Sequence, residues 1–88
     1  MINEEMAWYA ARVLGIQFDR FPFHDFLVGC NIELEHGSVS PATNVTNDDL
    51  ILTAKIALAH LNELSNYYNK EYGLKKFEKF LASKNYYK

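Results

Sequence analysis

Cysteine is almost missing from this 88-residue chain, with Cys30 its only example. A disulfide within the chain is therefore excluded, and so is a zinc cluster built on several thiolates. Such usage points to a cytoplasmic protein. Long apolar runs are lacking as well: no stretch approaches the ~18 residues of a membrane span, so no membrane partner is expected. The first fifteen residues carry Glu4 and Glu5 where a secretion signal would be basic. No repeat, strand-like alternation or long linker interrupts the chain. Nor is there an acidic surface dense enough to imitate DNA, because eleven acids face nine bases.

Apolar residues make up 49% of the chain and aromatics 15%, which suffices for one core in one domain over residues 1–88. A chain of this size buries only roughly 60–65% of its unfolded surface. Domains near that limit often lean on a metal, a staple or a partner. The charge is unevenly placed. Residues 1–65 hold nine acids against Arg12, Arg20 and Lys55, a net of −6, whereas residues 66–88 carry six lysines against Glu71 and Glu78, a net of +4. This polarity steers association with a charged partner or marks a solvated helix face.

The pattern predicts an all-α fold, a compact bundle of about four helices. The first opens on Asn3 as cap, with Glu4 and Glu5 favoured by the helix dipole, and stops at Gly15. Its expected apolar stripe is Met6, Tyr9 (or Ala10) and Val13. An aromatic connector with Phe18, Phe21 and Phe23 plugs the core. The second helix runs from about His24 to His36, with Phe23, Phe26, Leu27, Cys30 and Leu34 inward. After a polar loop, Thr46 or Asn47 caps a third helix with Asp48 and Asp49 in its opening turn. Its stripe is Leu50, Ala54, Ala57, Leu61 and Leu64. Ser65 is the cap expected for a fourth helix carrying Tyr67, Tyr68, Tyr72, Leu74, Phe77, Phe80 and Leu81.

The second helix holds Glu33-Leu34-Glu35-His36 and the third His60-Leu61-Asn62-Glu63. Residues three apart share a helix face, so Glu33 points with His36, and His60 with Glu63. Helices packed side by side bring these four groups to one point, a set suited to zinc or another first-row divalent ion. Glu35 is the alternative carboxylate. A plain structural reading stands beside this one: His36 suits a helix C-terminus, His60 a hydrogen-bonded position in the core, and Glu63 a cap or a pair with Lys70. A di-iron carboxylate bundle requires Glu-x-x-His on two helices, and here the second motif runs in reverse.

The runs Gly29–Gly37 (GCNIELEHG), Thr43–Asp49 (TNVTNDD) and Lys55–Glu63 (KIALAHLNE), followed by Tyr67-Tyr68, resemble a family of small proteins of phages and bacteria, a domain of unknown function. The resemblance covers roughly residues 18 to 80. It implies that Glu33, Glu35, His36, His60, Glu63, Tyr67 and Tyr68 form the family's signature, and it favours the metal reading. The chain also resembles zinc-containing phage anti-CRISPR proteins directed at Cas9. That likeness implies an inhibitor that occupies a host effector protein such as Cas9, zinc tying helices two and three. The partner-binding candidates are Tyr68, Tyr72, Lys75, Lys76, Lys79, Tyr86 and Tyr87, with Tyr68 and Tyr72 alternatively half-buried in the core.

Two other classes stay open. A small metal-dependent hydrolase would use Glu35, or another unliganded carboxylate, as base beside a metal-bound water. A nucleic-acid-binding accessory would use the lysine and tyrosine residues of the tail; direct nucleic-acid binding fits poorly with a pI near 5.8.

Overall fold

Helix α1, Glu4–Leu14, begins where Asn3 in extended conformation accepts a hydrogen bond from the Met6 backbone N–H. It ends at Gly15, which takes the left-handed conformation (φ 70°) and donates its N–H to the last carbonyls. A computed structural model describes residues 1–69 of the chain. Within them lie three α-helices, α1, α2 (Phe23–Glu33) and α3 (Leu50–Glu63), with two short 3-10 turns at Leu34–His36 and Pro41–Thr43. No strand occurs among the described residues, and the all-α class holds.

Several expected boundaries shift. Helix α2 ends at Glu33, and Leu34–His36 tighten into a 3-10 turn before Gly37. The cap of α3 is Asp49, whose side chain accepts from the Leu52 N–H. Thr46 and Asn47 do not serve, because Asn47 and Asp48 both have positive φ and turn the chain before the helix starts. Residues 65–68 form a turn; the rest of the expected fourth helix lies outside the described residues.

The three helices pack pairwise, α2 against α3 most extensively. Phe26 and Cys30 of α2 and Ala54, Ala57 and Leu61 of α3 are wholly buried, while Leu27, Leu34 and Leu50 pack against them from the edge. Leu64, expected in the α3 stripe, is exposed. The stripe of α1 is corrected at every position but Ala10, the alternative to Tyr9. The buried residues are Ala7, Ala10 and Ala11, and Met6, Tyr9 and Val13 face out. Alanines let a helix backbone approach its neighbours closely, so α1 turns its smallest side chains inward.

The aromatic connector plugs this end of the core, as expected from its three phenylalanines. Phe18 makes edge contacts with Trp8, Phe21, Phe23 and Phe26, at centroid distances of 5.3–5.8 Å. Trp8 stacks flat on Phe23 at 4.0 Å. These four rings hold Phe18 at φ 55°, a backbone region costly for a bulky residue. At the opposite side, Asn31 clamps the N-terminal strap by accepting from the Ile2 N–H and donating to the Ile2 and Leu27 carbonyls.

Candidate functional site

Glu33 closes the last turn of α2 and points into the seam with α3. Only 3% of it is exposed, and a buried carboxylate is costly unless its oxygens find donors. Tyr68 supplies one: its hydroxyl donates to Glu33 Oε2 at 2.5 Å. His60 Nδ1 lies 3.0 Å from the same oxygen and 2.9 Å from the Tyr68 hydroxyl. His36 Nε2 stands 3.6 Å from the other oxygen, Oε1, beyond hydrogen-bond reach but close enough for ionic attraction. One carboxylate thus faces two imidazoles and a phenol, drawn from α2, the following 3-10 turn, α3 and the 65–68 turn.

Three features of the chain make this possible. Glu33 and His36 are three apart, and the 3-10 turn keeps them on one face. His60 sits on the α3 face towards α2, with the Tyr67 ring stacked on its imidazole at 4.4 Å and 15°. Tyr68 reaches the carboxylate because its ring passes directly over Gly29, where a Cβ would stand only 2.5 Å from the ring edge. Burial first, and then the hydrogen bond to Glu33 and its charge, push the Tyr68 hydroxyl above the ordinary phenol range. Burial likewise raises the neighbouring Cys30 thiol from 9.0 to about 12, the charge on Glu33 adding to the effect.

Of the four ligands expected from the sequence, three come together: Glu33, His36 and His60. Glu63 and the alternative Glu35 are exposed, and neither hydrogen-bonds nor ion-pairs with the cluster. Among the described residues, no group of three or more His, Cys, Asp or Glu side chains is placed to hold a metal ion. Glu63 stands apart from the other three. Glu63 lies exposed at the α3 terminus, and Glu33 Oε2 takes Tyr68 and His60 as partners. Of the two places expected for Tyr68, a partner surface or the core, its 6% exposure fits the core. Tyr72, Lys75, Lys76, Lys79, Tyr86 and Tyr87 lie outside the described residues. The role of Gly29 was missed; its signal in the sequence is a glycine inside an apolar helix, a place where a close approach is common.

The loop after the 3-10 turn is fastened beside this cluster. The His36 carbonyl accepts from the Val45 and Thr46 N–H groups at 2.7 and 3.3 Å. Asp48 takes the Ser38 N–H at 2.9 Å and the Ser38 hydroxyl on its other oxygen. These bonds hold the Asp48 carboxyl below its ordinary value. The TNVTNDD run thus builds a strap that fixes the backbone of His36.

No helix among the described residues is long and apolar enough to cross a membrane. No curated protein and no solved structure matches the chain. One family model matches residues 7–79, the DUF5661 model, described as a protein of unknown function. The match takes in most of α1, which the sequence motifs alone had left outside the resemblance. The chain belongs to the DUF5661 family.

Proposed function

We propose that this chain is a binding protein that occupies the surface of a protein partner, as a phage-type inhibitor of host defence working in the host cytoplasm. The observation that carries this reading is the outward face of α1. Met6, Trp8, Tyr9 and Val13 are 37–53% exposed, and Arg12 is exposed beside them. Tryptophan, tyrosine and arginine are the residue types that dominate binding energy at protein interfaces. Met6, Tyr9 and Val13 recur at intervals of three and four, so they form one continuous stripe.

Charge indicates the kind of partner. Residues 1–65 carry a net of −6, which favours encounter with a basic surface. Effectors that handle nucleic acid present such surfaces, and Cas9, the target of the anti-CRISPR proteins that the sequence resembles, is one of them.

The test is capture by the tag-free chain, from host lysate and with purified Cas9, set against Tyr9→Ser and Arg12→Glu. The reading expects a defined protein held by the parent chain and lost with either substitution, at unchanged melting temperature. Retention of that protein by both variants would place the interface elsewhere.

A further inference from the structure

Both methionines of the chain line one groove. Its walls are Met1 and Ile2 of the N-terminal strap, Met6 of α1, Leu34 after α2, Val39 in the loop and Leu50 opening α3, and its volume is about 310 Å³. That is the small end of ligand pockets, with room for a few anchoring side chains. Met1, Val39 and Met6 are 97%, 77% and 37% exposed, so this apolar surface has no full cover among the described residues. Methionine adapts its shape to whatever packs against it.

The charge around the groove is mostly negative. Asp48 lines it, and the Ser38 hydrogen bonds that hold its carboxyl below the ordinary value keep it ionised at neutral pH. Glu5, Glu35 and Asp49 are exposed next in sequence to Met6, Leu34 and Leu50. Arg12, Arg20 and Lys55 do not line the groove; the cation at its edge is the Met1 α-amino group. An occupant suited to this surface is apolar where it makes contact and basic around that face.

The chain's own sequence beyond the described residues has that chemistry: Leu74, Phe77, Phe80 and Leu81 are interleaved with Lys75, Lys76 and Lys79. It also starts in the right place. The Tyr68 hydroxyl is held on Glu33, and Leu34, the next residue, is a wall of the groove. The chain between positions 69 and 74 spans up to about 17 Å when extended. Tethering presents such a segment at an effective concentration on the order of millimolar, ahead of a second copy or a separate partner in dilute solution.

We propose that this groove is the docking site of the chain's own residues 74–81, whose apolar side chains fill it while their lysines meet the surrounding acids. The net of +4 over residues 66–88 then faces the net of −6 over residues 1–65. The groove meets the outward face of α1 at Met6, whereas Trp8, Tyr9, Arg12 and Val13 do not line it. Docking of the segment therefore neither needs the partner surface on α1 nor removes it.

The test is photocrosslinking of the full chain with a benzophenone amino acid in place of Phe77, irradiated in dilute solution and mapped by mass spectrometry. Mixing ordinary with nitrogen-15 chains separates bonds within one chain from bonds between two. The expected product is a bond within one chain to Met1, Met6, Leu34, Val39 or Leu50. Replacing Lys75, Lys76 and Lys79 together by glutamate should lower its yield about threefold or more, and Val39→Lys should lower it as well. Val45→Lys, at an exposed valine outside the groove, should leave the yield unchanged. Bonds mainly between chains would give the groove to a second copy and overturn the proposal. So would bonds mainly to residues outside the groove, no bond at all, or a yield that the lysine and Val39 variants leave unchanged.

Discussion

The ring of Tyr68 lies over Gly29 with no space for a methyl group between them, and the same ring carries the hydroxyl that holds Glu33. Close approach and hydrogen bond are therefore one contact. Gly29→Ala must displace the ring and with it the donor on a buried carboxylate. We expect a loss of about 1–3 kcal/mol from overpacking, measured by urea denaturation. Better helix propensity would otherwise make alanine stabilising, so a more stable Gly29→Ala would refute the packing described.

The α1 orientation gives a contrast between neighbouring positions. Met6→Ser and Val13→Ser are expected to change stability by no more than about 0.5 kcal/mol, as for surface sites. Ala10→Leu and Ala11→Leu put a large side chain where α1 meets the core and should cost about 1–3 kcal/mol. The reverse order in thermal melts would return Met6 and Val13 to the inside.

Which parts of this structure the residues announced follows from how local their causes are. Asn3 and Gly15 bound α1 by capping, which involves only adjacent backbone, and both read correctly. The pairing of His36 and His60 around Glu33 followed from a three-residue spacing and an apolar stripe. The face of α1 did not, because a search for large apolar residues selects Met6, Tyr9 and Val13, whereas close helix contact selects alanine. The start of α3 was misplaced by two or three residues, since Asn47 and Asp48 turn the chain with positive φ before Asp49 caps the helix. Tyr68 was visible as part of a tyrosine pair, yet its partner is 35 residues away and depends on the clearance at Gly29.

The strap has a pH dependence with a definite sign. Hydrogen bonds from the Ser38 side chain and N–H hold the Asp48 carboxyl below its ordinary value of 3.8. A lowered value in the folded state stabilises above the unfolded value, and the contribution is lost as pH falls through the folded one. Asp48→Asn should flatten the fall of melting temperature between about pH 5 and pH 2. An identical acid profile in the variant would remove Asp48 from the account.

Cys30 gives a chemical readout of the same core. With its thiol raised from 9.0 to about 12, the native protein holds almost no thiolate at neutral pH, and thiolate is the reactive form. Labelling by iodoacetamide should therefore follow the urea unfolding curve. The raised value also means that this thiol's contribution to stability is intact below 9.0 and declines as pH rises towards 12. Rapid labelling of the folded chain would show that the α2–α3 seam is open.

Glu33 binds the turn after α3 to the end of α2 through Tyr68. The most direct measurement is a double-mutant cycle of Glu33→Gln and Tyr68→Phe by chemical denaturation. A coupling energy of about 1 kcal/mol or more, within the usual range of roughly 0.5–3 kcal/mol for residues in contact, is the predicted result. Additive effects, agreeing to within about 0.3–0.5 kcal/mol, would show that the two side chains act independently and would contradict it.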